Sequence, residues 1–275
     1  MRPTIHNAEL EQHYLDYLPR IAPDLLNGSR HGAALSGLFL SFLPSDQPIA
    51  ATTPRILVVG SETAGWPLLK QPFTDLADYL ERAKAFYFRC FSQETASRGT
   101  TFLNFMRKAR HTYPQYAFIY ANLFCFDWQR GSPINSPAFN EIRQHSSALL
   151  NLLIDYTQPD QIVFANGISN AKYRREFIAM QPDSGTLFTE HGIPDKHLWA
   201  FKTASGIPCY RIQHPAARRR NKTQAHLARQ AQTYVIQQLS LAAQPHSDLE
   251  LSTTGRLSVP FFMAGSGRFT PPPPP

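Results

Sequence analysis

Glu62, Asn122 and His214 are the residues whose types and placement point to chemistry. Each follows a short apolar run with the pattern of a β-strand. Arg55–Gly60 (RILVVG) leads into Ser61-Glu62-Thr63-Ala64-Gly65-Trp66. Residues 118–121 (FIYA) lead into Asn122, residues 161–165 (QIVFA) into Asn166-Gly167, and Pro208–Ile212 (PCYRI) into Gln213-His214-Pro215. In an open parallel α/β sheet, ligands bind beyond the carboxyl ends of the strands. If these runs are parallel neighbours, a carboxylate, an amide and an imidazole share one crevice. That set can act on a nucleobase.

Several elements must position them. Leu10, Tyr14, Tyr17 and Leu18 recur at helical spacing, and Pro19 and Pro23 interrupt the run. A second helix is expected to carry Leu35, Leu38, Phe39 and Phe42 on one face. Residues 44–54 read as a proline-bearing linker. Helices are expected at residues 75–90, at 102–111, and from a Ser136 cap with Pro137 at the first helical position to about Tyr156. Thr223 is the expected cap of a last helix reaching about Ala243. Residues 198–202 and 207–212 can form a local antiparallel hairpin. Strands alternating with helices predict an α/β fold: a three-layer α/β/α sandwich on a mostly parallel sheet. The expected division is an N-terminal helical extension at 1–50, the α/β domain at 51–244 and a disordered, proline-rich tail at 245–275.

The order and strand-end placement of these motifs resemble the uracil-DNA glycosylase superfamily, over roughly residues 55–240. The motifs are Gly60-Ser61-Glu62-Thr63 after the first strand, Asn122 in YANLF, and His214-Pro215-Ala216-Ala217 after the last. The resemblance implies hydrolysis of an N-glycosidic bond in DNA. As the base leaves, the sugar becomes cationic and the base anionic. Glu62 would stabilise the cation and orient a water, and His214 would donate to the departing base. Asn122 would read the base edge, with Gly60 allowing close backbone approach. A base flipped out of a duplex usually stacks on an aromatic ring, and Trp66 and Phe73 are the candidates. The run Arg218, Arg219, Arg220 and Lys222 would bind the phosphate backbone, with Lys172, Arg174 and Arg175 extending that surface.

The chain departs from the family pattern in three places. Glu62 is a methylene longer than the family's usual Asp or Asn. Small alanines and arginines stand where the family has an apolar wedge. Ala64 stands where uracil-specific relatives have an aromatic that blocks the thymine methyl. An open wall there would admit a base with a bulky 5-substituent, such as a modified cytosine of phage DNA, or a damaged base.

The net charge of +7 suits a polyanionic partner but does not dictate the fold. Cys90, Cys125 and Cys209 match no metal spacing. They are too few for the four-cysteine iron–sulfur cluster of some superfamily members, so no metal or other cofactor is expected. Cys125 and Cys209 read as buried small hydrophobes, and the absence of a disulfide framework fits a reducing cytoplasm. Gly60 and Gly65 have the separation of a phosphate loop, but Trp66-Pro67 stands where Lys and Ser/Thr are required, which rejects a triphosphatase. No signal peptide or membrane span is read, and a monomer is the default. Two further readings stay open: a non-catalytic nucleic-acid-binding protein on the same fold, and a hydrolase or transferase acting on free nucleosides or nucleotides.

Overall fold

Strand β1 (Arg55–Gly60) is buried along its whole length, as the apolar stretch that follows Arg55 requires of a strand covered on both faces. The same holds for β2 (Ala117–Asn122) and β3 (Gln161–Phe164). With β4 (Leu198–Lys202) and β5 (Pro208–Ile212) they form one sheet in the order β2-β1-β3-β5-β4. Strands β2, β1, β3 and β5 run parallel, and β4 pairs antiparallel with β5 as the expected hairpin. This computed structural model describes residues 2–67, 72–91, 101–217 and 221–240. The tail and Arg218, Arg219 and Arg220 lie outside the described residues.

Register decides which side chains share a face. Tyr120 pairs with Val58, and Val58 with Val163, so those three point one way. Phe164 pairs with Val59 and points the other way. On the Tyr120 face lie α3 (Leu76–Phe91), which presents Phe91, and α4 (Thr101–Thr112), which presents Phe102. On the opposite face α6 (Ala171–Phe177) lays Arg174 over Phe164, and α5 (Phe139–Thr157) packs against α6. Helix α7 (Lys222–Gln238) touches α4 and β5. The expected three-layer α/β/α fold is what this chain adopts. No helix among the described residues is long and apolar enough to cross a membrane.

The N-terminal region differs from expectation. Helix α1 (Asn7–Tyr17) and the short α2 (Pro23–Leu26) form, but residues 35–43 are extended, not helical. All nine residues of LSGLFLSFL are buried, whereas an amphipathic helix would leave one face in water. The segment runs antiparallel to the chain just past β2. Ser36 N–H donates to the Asp127 carbonyl (3.1 Å) and Phe39 N–H to the Cys125 carbonyl (2.7 Å). Gly37 N–H donates to the Trp66 carbonyl (2.8 Å). The first fifty residues thus help wall the carboxyl end of the sheet and belong to one compact unit with the rest of the described chain.

Two helix starts also differ. Helix α5 begins at Phe139, and the Ser136 hydroxyl accepts from Ala138 N–H (3.2 Å) in the turn before it. At α7 the cap is Asn221, two residues before Thr223: its side chain accepts from Gln224 N–H (2.9 Å). An N-cap oxygen reaches the donors of the first turn from outside the helix, and Thr223 already lies inside it.

Candidate active site

The strand order turns back between β1 and β3, which makes the carboxyl ends of these strands the switch point where open α/β sheets bind ligands. Four polar groups stand on or beside it. Gly60 is the register partner of Asn122. Ala165 N–H donates to the Val59 carbonyl (2.8 Å), and Gly167 N–H to the Ile212 carbonyl (3.0 Å). These bonds carry the turns after β1, β3 and β5 side by side, and a side chain added at Gly167 would meet the His214 backbone at 3.8 Å.

Asn122 is buried, and its amide is held from one side. The Tyr120 hydroxyl donates to Asn122 Oδ1 at 2.5 Å, and Asn122 Nδ2 is buried with no partner among the described residues. Gly60 makes this possible. A Cβ at that position would lie 2.7 Å from Asn122 Oδ1 and 3.0 Å from the Tyr120 hydroxyl. Gly60 thus makes room for the Tyr120–Asn122 pair, a role different from the expected close approach to a base.

Glu62 is half-buried, and its Oε2 has no partner among the described residues. Burial pushes its carboxyl up to about 6, and the negative charge of Asp127 pushes in the same direction. The two acids do different work. Asp127 accepts from the Thr63 hydroxyl (2.7 Å) and from Gly65 N–H (2.6 Å) through Oδ2, and from Arg130 N–H (3.1 Å) through Oδ1. It clamps the loop that carries Glu62. Within that loop Ala64 has φ +54° and Gly65 φ +109°, so the chain reverses sharply just after Glu62.

His214 stacks on Phe102 at 5.6 Å, and Phe102 packs on Tyr120 at 4.9 Å. The path His214–Phe102–Tyr120–Asn122 is therefore continuous. Ala216 N–H donates to His214 Nδ1 (3.2 Å), which leaves the proton of the neutral ring on Nε2. Burial holds the ring below its ordinary pKa and so keeps it neutral at pH 7. Asn166 is buried with neither amide atom partnered among the described residues, and Asn170 Nδ2 donates to the Ser61 hydroxyl (3.3 Å).

Several expected residues sit elsewhere. Trp66 is a core ring, 6% exposed, packed edge-on with Phe39 (5.0 Å) and Phe86 (4.5 Å), so it is not a free stacking platform. Phe73 packs against Tyr79 (5.0 Å), and its described ring contact is with that residue rather than with Tyr120 or His214. Ala64 is exposed in its turn. Arg174 is 1% exposed, within 5.7–5.8 Å of the Phe164, Trp199 and Phe201 rings, and is no part of a basic surface. Lys172, Arg175 and Lys222 are exposed. Tyr120 and Phe102 are the residues that reading the sequence missed. The spacing Tyr120-Ala121-Asn122 held the signal for the first, because residues two apart on a strand share a face. Nothing local marked Phe102, which reaches His214 across more than a hundred residues of chain. No family model and no curated protein matches the chain.

Proposed function

We propose that this protein is a DNA glycosylase, which hydrolyses the N-glycosidic bond of a flipped uracil, damaged or modified base and leaves an abasic site. The observation that carries the reading is a set of buried polar atoms at the switch point with no partner among the described residues, Glu62 Oε2, Asn122 Nδ2 and the Asn166 amide, beside a neutral His214 whose proton lies on Nε2. A buried polar group without a partner costs about 1–3 kcal/mol, so several at one crevice are best explained by a ligand that pairs with them.

The roles follow from the chemistry. With its acid strength near pH 6, Glu62 is mostly ionised at pH 7 and still basic enough to take a proton from water. It holds that water and offsets the positive charge growing on the sugar. His214 Nε2–H faces the negative charge growing on the departing base, and a neutral donor does this without first losing a proton. Asn122 orients the base. The net charge of +7 and the exposed Lys222 favour a polyanionic substrate. The order of the motifs, which resembles the uracil-DNA glycosylase superfamily, supports the same reading.

The test is base release from labelled oligonucleotides containing uracil, hypoxanthine, 5-hydroxymethylcytosine or its glucosylated form, with alkali converting abasic sites to strand breaks. Release from one or more substrates is expected, reduced about 10²–10⁴-fold in Glu62→Gln. Release that survives unchanged in that variant would remove Glu62 from the chemistry. Salt-sensitive DNA binding with no release would favour a binding protein on the same fold.

A further inference from the structure

We infer that Tyr120 is a specificity-determining positioning residue: by donating its hydroxyl proton to Asn122 Oδ1, it fixes the amide so that the unpaired N–H end is the one offered to a ligand. The crevice then selects a base that offers a carbonyl oxygen to Asn122 and disfavours one that offers an amino group there. This rests on the glycosylase reading for the identity of the ligand, but the amide's orientation stands on geometry alone.

An amide can present either end to a ligand, so something must choose. Tyr120 is buried, and its hydroxyl has one proton to place. The acceptor the structure gives it is Asn122 Oδ1, at 2.5 Å. Turning the amide over would make the hydroxyl oxygen accept from Nδ2–H and leave the hydroxyl proton without the acceptor it now has. The choice is reinforced from three sides. The Tyr120 ring is held by Phe39 (5.4 Å), Phe91 (4.4 Å) and Phe102 (4.9 Å), so the hydroxyl cannot swing away. Tyr87 donates its hydroxyl proton to the Tyr120 carbonyl (3.4 Å) and accepts from Tyr120 N–H (3.3 Å), which fixes the backbone. Gly60 leaves the space in which the hydroxyl and the amide oxygen meet. Burial also keeps Tyr120 far above its ordinary pKa, so the hydroxyl is a donor at every relevant pH.

The consequence separates bases by one group. A pyrimidine with a 4-keto oxygen, or a purine with a 6-keto oxygen, accepts from Asn122 Nδ2. A 4-amino or 6-amino base brings a second donor to the same place. The modified cytosines admitted by the Ala64 reading would therefore bind poorly unless deaminated.

The test is calorimetric titration of the full chain with free uracil, cytosine, hypoxanthine and adenine, for the wild type and Tyr120→Phe. Phenylalanine keeps the ring packing and removes only the hydroxyl, and a thermal melt confirms that the fold is kept. The wild type is expected to favour the keto member of each pair at least tenfold. Tyr120→Phe should narrow that ratio about three- to tenfold, mainly by tightening the amino member. A ratio unchanged in Tyr120→Phe would overturn the inference, and so would an absence of keto preference in the wild type. Free bases are bound without any bond being cleaved. Failure of the glycosylase reading shows instead as no base release from oligonucleotides, whatever the titration gives.

Discussion

The two ends of the parallel sheet differ in how far their polar groups are paired. At the amino ends of β1 and β3, Asp160 Oδ2 accepts from Arg55 N–H (2.7 Å) and from Arg2 Nη1 (2.6 Å). Arg2 Nη2 donates to the Ala51 and Thr53 carbonyls, and Arg55 donates to the Thr157 and Pro3 carbonyls. Charge, backbone and N-terminus are tied together. Arg55 Nε and Gln161 Oε1 are orphans there, so the contrast is one of degree. At the carboxyl ends, Glu62 Oε2, Asn122 Nδ2 and the whole Asn166 amide are buried without partners, while Asp127 and Tyr120 are spent on holding Glu62's loop and Asn122 in place. One end closes the fold, and the other keeps groups available at a cost in stability. This is the division expected of a scaffold that carries a site.

The comparison is sharpened most by His214. Under the proposed reading, His214→Ala removes the donor aimed at the leaving base. It should lower base release about 10²–10³-fold, the effect of losing one such donor, or ~2.7–4 kcal/mol. The melting temperature should stay within about 2 °C, because the ring stacks only at the surface of the core, on Phe102. A large fall in stability with little change in activity would place His214 with the closed end of the sheet instead.

Asp160→Ala attacks the other end. It removes two hydrogen bonds to one carboxylate and leaves Arg2 and Arg55 N–H without it. The expected loss is about 2–3 kcal/mol, or roughly 4–10 °C in melting temperature. Activity per folded molecule should be unchanged. Denaturant unfolding alongside base-release rates checks both halves, and a selective loss of activity would break the division between the two ends.

How much of this was legible in the sequence depends on how local each signal is. The strands were readable because buried parallel strands are short unbroken apolar runs, and β1 and β5 fall on the residues expected. The strand-end positions of Glu62, Asn122 and His214 followed directly. The segment at residues 35–43 misled because its leucines and phenylalanines also fit a helical stripe; the lack of any charged residue to face water was the better guide. Trp66 and Arg174 misled in the same way, since neither composition nor spacing says whether a large side chain lies inside or out. Nothing local marked the role of Asp127, because its partners Thr63 and Gly65 lie more than sixty residues away.

The smallest expected effect concerns Glu62 itself and has a sign that depends on pH. Its folded-state acid strength lies near 6, above the ordinary value of 4.5, because burial and Asp127 disfavour the charge. The folded state therefore binds the proton more tightly than the unfolded state does. Below about pH 4.5 both states are protonated and the residue adds no penalty. As pH rises from 4.5 through 6, stability falls, and above 6 the full penalty of about 1–2 kcal/mol is present. Glu62→Gln carries no charge, so it should be more stable than the wild type by about that amount at pH 7–8, or roughly 2–8 °C in melting temperature. The two proteins should converge at pH 4. The proposed activity runs the other way, rising with pH through about 6 as the carboxylate forms, so the wild type gains rate over the range in which it loses stability. Equal stability of the two proteins at every pH would mean that Glu62 is not strained by its site, and that the open end of the sheet is no more costly than the closed one.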